Sequence, residues 1–580
     1  MGSNDELKDK LAAWVKGLVE EGKPADGSDA APAAPVKAPG PQVVPSPAVP
    51  TQAAPPPSVT PAVPAQAASG ADDSATSLTP AATGRVLLIH GYSASGVDLL
   101  PWRKTLESVG IGTRTVEIGN YVTLNNEVTI KDLGEAFDRA LRYTPWSSGA
   151  VGDTWTFDAI VHSTGMLVIR QWLTSDPYPR TDPRSRVARL KHLVGLAPAT
   201  FGSPQAKQGR SWLGALFKGN KHLGPDFLNA GNAVLDGLEL GSRYTWKLTE
   251  KDLLSDKPIY DAGAGTPYAT VFIGNVGYDG VAALDSPPGS DGTVRWAGCA
   301  LNTRKVTIDF RRIPLLGGGV RCEISDWVEG RLAVPMIAVD ERNHGTIVSD
   351  PDEDVAHLIS RFLQDVSDVE SYSDWQKDAL DFGQSSVERM NAASVDGRFG
   401  GAGWQQLVVH MVDDHGDPVT DYNLQLFVGS DLSQSDPVGP EMLACTAPEF
   451  MQVPLIVDTY TSDASYRCFY VRLSDEMLEL PQGRKMWLEV IASSGSSLME
   501  YIAYTGAAGE SPQRLAFDRE SQSLSPVKLD VTALAGGTDK LLYPYTTTLL
   551  EIFVEREPVP LDTVSTIFNF LKADDVPGGL

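Results

Sequence analysis

The chain has 580 residues, of which 42% are hydrophobic and 21% charged, the proportions of a water-soluble globular protein with two or more domains. Its formal net charge of −26 argues against nucleic acid as a partner, because no net basic field exists to displace counterions. No stretch reaches the ~18 apolar residues needed to span a bilayer, and the N-terminus lacks the apolar segment of a secretory signal. We therefore expect a cytoplasmic protein, or one released by a signal-free route.

Two segments precede the first buried strand. Residues 1–23 predict a short amphipathic helix, with apolar side chains from Leu7 to Leu18 at three- and four-residue spacing. Such a helix cannot bury its apolar face alone, so we expect it to dock on this protein, self-associate or bind a protein partner, with a membrane surface as the further alternative. Residues 24–82 are rich in Pro, Ala and Ser, which predicts a disordered, extended linker without a catalytic role.

Short apolar runs alternate with amphipathic stretches between residues 83 and 370. This alternation predicts a mostly parallel β-sheet covered by helices, and hence an α/β fold. The predicted strands are Arg85–Ile89, Arg114–Ile118, Ala159–Val161, Leu190–Pro198, Ala269–Gly274 and Arg331–Val339. The predicted helices between and after them are Asp98–Val109, Lys131–Tyr143 and Asp354–Leu363.

The segment Phe157–Leu173 predicts a buried strand, a sharp turn and a helix, with Ser163 at the tip of the turn. This arrangement resembles the nucleophile elbow of the α/β-hydrolase superfamily, and within it the lipases and esterases. The superfamily pattern G-x-S-x-G has a glycine where this chain has Val161, so the turn must be adjusted or slightly wider. The resemblance implies that Ser163 is the nucleophile and that the N–H of Thr164 is one oxyanion donor.

Two further loops resemble parts of the same superfamily. His90-Gly91, at the end of the first strand, resembles the oxyanion loop and would place the N–H of Tyr92 or Ser93 in the site. The loop S-D-G-x-V that contains Asp291 resembles the acid loop of the superfamily, and Asp285 is the alternative acid.

The loop after the last predicted strand contains His344, in the position where the superfamily has its general base. Ser163, Asp291 and His344 follow one another in the superfamily's chain order. The resemblance implies a Ser-His-Asp triad that hydrolyses carboxylic esters through an acyl-enzyme, as an esterase, a lipase or a phospholipase, with no metal or organic cofactor. The alternatives are an acyltransferase with the same triad and a non-catalytic binding or scaffold protein with a vestigial hydrolase domain.

Residues 199–258 interrupt the alternation and predict a helical cap or lid over the site. Within this insertion a cluster of basic residues lies among aromatic and apolar ones, and the cluster consists of Lys207, Arg210, Lys218 and Lys221. Such a patch suits peripheral contact with a lipid surface or an anionic head group. The alternative is a packed cap whose lysines are only solvated.

The sequence pattern changes in the C-terminal part of the chain. Residues 371–400 predict a helical connector, and residues 401–580 predict an antiparallel β-sandwich-like accessory domain with a binding, docking or rigidifying role. The acidic turn that begins at Asp413 is interpreted as a surface turn, with a calcium site as the alternative. Cys445 and Cys468 either pair or remain buried thiols, and residues 561–571 predict a final helix.

Overall fold

The computed structural model describes the chain from Val86 to Val559 with internal gaps. The described residues are 86–91, 96–116, 128–143, 154–208, 232–260, 265–279, 286–311, 323–330, 334–394, 399–430, 450–481, 483–504, 513–518, 523–532 and 541–559. The predictions for residues 1–82 and 561–571, for the oxyanion donors Tyr92 and Ser93, for Asp285, and for the basic residues from Arg210 to Lys221 therefore lie outside the described residues.

A six-stranded sheet forms the centre of the N-terminal part, and every neighbouring pair of its strands is parallel. The strand order is β2-β1-β3-β4-β5-β9. Its strands are β1 (Val86–Ile89), β2 (Thr113–Val116), β3 (Phe157–His162), β4 (Leu190–Leu196), β5 (Tyr268–Gly274) and β9 (Met336–Val339). This arrangement confirms the predicted α/β fold.

Helices cover both faces of this sheet. Alternation along β1 shows the two faces, because Val86 and Leu88 belong to one buried core cluster and Leu87 and Ile89 to another. The described helices are α1 (Leu100–Ser108), α2 (Ile130–Tyr143), α3 (Gly165–Thr174), α4 (Arg186–Arg189), α5 (Gln205–Gln208), α6 (Asn232–Leu238), α7 (Arg243–Lys251), α8 (Trp296–Cys299), α9 (Thr346–Ser349), α10 (Glu353–Asp365), α11 (Val369–Ala393) and α12 (Asp475–Leu478). None of these helices is long and apolar enough to cross a membrane.

A ten-stranded and a four-stranded sheet form the C-terminal β region. Side chains from both sheets share one buried cluster, as expected when two sheets pack face to face. The remaining strands are β6 (Thr303–Asp309), β7 (Glu323–Ile324), β8 (Val328–Glu329), β10 (Trp404–Asp413), β11 (Tyr422–Ser430), β12 (Phe450–Val453), β13 (Leu455–Thr459), β14 (Tyr466–Arg472), β15 (Arg484–Ala492), β16 (Met499–Ala503), β17 (Gln513–Asp518), β18 (Ser523–Ser525), β19 (Val527–Asp530) and β20 (Thr547–Pro558).

The larger sheet differs from the predicted antiparallel arrangement at its centre. There β20 runs parallel to β10 on one side and to β6 on the other, whereas β13, β14 and β16 to β18 pair antiparallel with their neighbours. Strand β6 comes from the stretch between the acid loop and the last strand of the parallel sheet. A segment of the predicted hydrolase part thus contributes a strand to the accessory sheet.

Candidate active site

Ser163 lies at the turn between β3 and α3, and its backbone has a φ of +52°. A positive φ is uncommon for a residue with a side chain and marks a tight, strained turn, as the sequence predicts. The turn also brings Ser163 against the end of β1, because a Cβ added at Gly91 would lie only 2.6 Å from the Ser163 Cβ. Ser163 is therefore held by three neighbouring elements: β1, β3 and α3.

Where the superfamily pattern has a glycine, this chain has a buried valine, and a glycine lies beside it in the neighbouring strand. Val161 is fully buried and pairs with Ile89 on one side and Gly195 on the other. A Cβ added at Gly195 would lie 2.8 Å from the Cε of Met166, which belongs to α3. Gly195 therefore provides space for α3 beside the sheet.

Asp291 and His344 form a fully buried pair. The Nδ1 atom of His344 lies 2.8 Å from Oδ2 of Asp291, and both side chains have 0% exposure. The second carboxylate oxygen, Oδ1, accepts hydrogen bonds from the backbone N–H groups of Thr293 and Val294, at 3.0 and 2.8 Å. With Nδ1 donating to the carboxylate, Nε2 of His344 has the lone pair and can accept a proton. The backbone N–H of His344 also donates to the Asp291 carbonyl, at 2.9 Å.

His162 connects the serine turn to the loop that contains His344. Its Nε2 lies 3.1 Å from the His344 carbonyl oxygen, and the two ring centroids are 4.8 Å apart. Burial, together with the nearby His344 and His90, holds the pKa of His162 well below the usual histidine range. His162 is therefore neutral at pH 7 and donates from Nε2. Sequence reasoning missed this role, although the residue is adjacent to Ser163.

A cavity of about 470 Å³ adjoins these residues. His90, His162 and Tyr278 lie in its wall, together with apolar side chains of which Val97, Leu99 and Val348 are examples. Tyr278 also covers the acid loop, since its hydroxyl lies 2.9 Å from Oγ1 of Thr293 and its ring would be 2.5 Å from a Cβ at Gly292. This mixture of apolar wall and a few polar groups suits a ligand with an apolar part and one polar reacting group.

The acid loop is anchored in the C-terminal β region. The Tyr470 hydroxyl donates a 2.7 Å hydrogen bond to the carbonyl of Gly289, two residues before Asp291. Arg295 is 2% exposed, forms an ion pair with Asp458 at 2.5 Å and lies over the Tyr470 ring. The segment that holds Asp291 is thus fixed from both ends by side chains beyond residue 400, which sequence patterns did not indicate.

The remaining predicted residues are partly described. Thr164 is fully buried and is the N-cap residue of α3, directly after Ser163. Cys468 is a free, buried thiol, and Cys445 lies outside the described residues.

One group of possible metal ligands occurs within the described ranges, at Asp413, Asp414 and His415. Asp413 accepts the N–H groups of His415 and Asp417, and the Arg556 guanidinium lies 3.8 Å from its other oxygen. The two N–H hydrogen bonds use Oδ1 of Asp413 to hold the turn together.

Comparison with known proteins finds solved structures with a similar fold. No family model and no curated protein matches the sequence. The chain is similar to the solved structure of phospholipase PlaB from Legionella pneumophila, at 20% identity and a TM-score of 0.59, covering 86% of this chain and 98% of PlaB. The structure of PlaB in complex with thio-NAD matches at 22% identity with the same TM-score and coverage. The mature lipase BlEst2 from Bacillus licheniformis matches over 50% of this chain at 13% identity and a TM-score of 0.33. At these identities, the similarity to PlaB shows a shared fold over most of both chains.

Proposed function

We propose that this chain, which has the α/β-hydrolase fold, hydrolyses carboxylic esters through a nucleophilic serine. The observation that carries the proposal is the arrangement of three sequence-distant residues. Ser163 has a strained backbone at a strand-to-helix turn, and the buried Asp291–His344 pair lies in loops that His162 connects to that turn. This arrangement supports a Ser-His-Asp triad, because a serine nucleophile needs both a base and a group that orients the base.

The mechanism that fits these residues is acyl transfer. Nε2 of His344 accepts the proton from Ser163 as its Oγ attacks the ester carbonyl, and Asp291 orients and stabilises the imidazolium. The N–H of Thr164, at the N-terminus of α3, stabilises the oxyanion together with the N–H of Tyr92 or Ser93. His344 then protonates the leaving alcohol, and a water molecule that His344 activates releases the acid from Ser163.

The substrate class is an ester with an apolar acyl part. The apolar wall of the 470 Å³ cavity supports this choice. A phospholipid is the narrower proposal, supported by the fold shared with PlaB, which is described as a phospholipase. Contact of the cap with a lipid surface remains part of this narrower proposal.

The test is hydrolysis of p-nitrophenyl esters from acetate to palmitate by wild type and Ser163→Ala. We expect kcat to fall by about 10³-fold or more in Ser163→Ala, because the nucleophile is lost. Ser360→Ala is the matched control, since Ser360 is a buried serine on α10, outside the site, and should leave kcat unchanged. Ester hydrolysis that survives in Ser163→Ala would contradict the proposal.

Two further measurements separate the alternatives. Adding an alcohol acceptor and analysing products distinguishes an acyltransferase, which would form a new ester in place of the free acid. A fluorophosphonate reagent that fails to label Ser163, together with no ester turnover, would favour a non-catalytic binding protein.

A further inference from the structure

A groove rich in basic residues lies apart from the proposed active site. It has a volume of about 290 Å³ and is bordered by α2, α6, α7 and Tyr460. Four cationic side chains line it: Lys131, Arg243, Lys247 and Lys251. All four are exposed. Such a concentration of positive charge is unexpected in a chain with a formal net charge of −26.

Three of these cations form a stripe along α7. Arg243, Lys247 and Lys251 are four residues apart, so they lie on one side of the helix and span about 12 Å of its axis. Like charges at this spacing destabilise a helix. Arg243 is also the first residue of α7 and Lys131 the second of α2, where the helix dipole disfavours a cation. Lys251 lies in the last turn of α7, where the dipole favours a cation, but helix stability does not explain Lys131, Arg243 or Lys247.

The neighbouring carboxylates are bound by other groups. Asp236, the acidic residue in the groove wall, accepts hydrogen bonds from the hydroxyls of Tyr460, at 2.8 Å, and Ser462. Glu250 pairs with Lys305, 2.8 Å away.

Asp252 forms the fully buried ion pair with Arg170, at 2.7 Å. Within the described part of the chain, none of the four groove cations forms an ion pair or a side-chain hydrogen bond. Their positive charge is therefore available to a ligand.

We propose that this groove binds a small, freely diffusing anion with two or more phosphate groups. A single phosphate reaches only part of a 12 Å stripe, whereas a di- or oligophosphate can contact successive turns of α7 and Lys131 on α2. Lysine ammonium groups bind phosphate as point charges, and Arg243 can donate two parallel hydrogen bonds. A recessed groove fits a compact molecule better than a flat lipid surface. The proposal is independent of ester hydrolysis and stands or falls separately from it.

The test is isothermal titration calorimetry of inorganic pyrophosphate into the full chain at low ionic strength. We expect one site per chain, and a loss of affinity of about tenfold or more in Lys247→Glu, because a cation at the centre of the stripe becomes an anion. Lys247→Gln should give a smaller loss. The matched control is Lys191→Glu, which reverses an exposed lysine outside the groove and should bind like wild type. Thermal melting checks that each variant is folded.

Several outcomes would overturn the proposal. The first is that wild type does not bind pyrophosphate. The second is that Lys191→Glu and Lys247→Glu weaken the affinity for pyrophosphate equally. The third is weak binding of pyrophosphate that neither substitution changes. Sedimentation with vesicles containing phosphatidylglycerol tests the other source of phosphate. Vesicle binding that Lys247→Glu abolishes, with no pyrophosphate binding, would assign the groove to a lipid head group instead of a free anion.

Discussion

At the residue scale, the geometry of the serine turn depends on the absence of a side chain at Gly91. The His-Gly pair after the first strand drew attention to Gly91 in the sequence, but this pair predicts only that the chain turns there. The structure gives the stricter requirement, because an alanine Cβ would lie 2.6 Å from the Cβ of Ser163 and 3.1 Å from the His162 carbonyl oxygen. One of these two groups has to move, and neither is the end of a flexible chain.

Gly91→Ala should therefore displace Ser163 and lower kcat for p-nitrophenyl ester hydrolysis by about 100-fold, the usual cost of misplacing a reacting group by about 1 Å. We also expect a loss of about 1–3 kcal/mol in the free energy of unfolding, as for other overpacked sites. Gly112→Ala is the control, since a Cβ at Gly112 would meet no atom within 4 Å. Equal kcat in Gly91→Ala and Gly112→Ala would show that Ser163 is not held by this contact.

The types of residue and their order along the chain predicted part of the site. The rest is revealed only by contacts between residues that are distant in sequence. Ser163, Asp291 and His344 could be proposed because each follows a recognisable strand or turn. His162 and Tyr278 could not, because their roles arise from contacts with His344 and Thr293 that no local pattern contains.

At the element scale, the acid loop depends on the C-terminal β region for its position. Strand β14 places the Tyr470 hydroxyl against the Gly289 carbonyl, and β13 places Asp458 against Arg295. A loop held by a few hydrogen bonds moves when one is removed, and Asp291 moves with it.

Tyr470→Phe removes the hydroxyl and leaves the Gly289 carbonyl without this donor. We expect a loss of about 1–3 kcal/mol in the free energy of unfolding, and a lower kcat with little change in KM, because the acid would no longer orient His344 correctly. Tyr422→Phe is the matched control, since that hydroxyl donates to Ser465, at 3.0 Å, within the β region. It should cost similar stability without affecting kcat. Parallel loss of kcat in both variants would indicate a general structural effect.

Five strands of the parallel sheet were predicted within two residues of their bounds, because most of them are apolar runs bounded by polar residues. The sixth, β9, begins at Met336, five residues after its predicted start. The sequence of residues 306–330 predicts a hairpin-like excursion, and this local pattern is all that indicates strand β6. Its hairpin partners β7 and β8 are local, but its main partner is β20, from Thr547 to Pro558, and pairing over that separation leaves no mark in a local pattern.

At the scale of the whole molecule, the hydrolase part and the C-terminal β region share structure on both sides of their predicted boundary. Strand β6 lies in the larger accessory sheet, beside β20. Conversely, the C-terminal β region contributes side chains to the buried cluster that contains Val161 and Leu193 of the parallel sheet. These side chains are Trp404, Tyr470 and Leu549. Because this core contains side chains from both parts, one part cannot unfold while the other stays intact.

Residues 86–559 should therefore unfold in a single transition. Differential scanning calorimetry should give one peak whose calorimetric enthalpy equals its van't Hoff enthalpy, because both parts lose the shared core together. Covalent modification of Ser163 by a fluorophosphonate should move this whole peak, since stabilisation of the serine site reaches every element in the same cooperative unit. Tyr470→Phe should lower the peak temperature without splitting it. Two peaks, of which only one moves on modification of Ser163, would mean that the two parts are independent domains and that the shared core contributes little to their coupling.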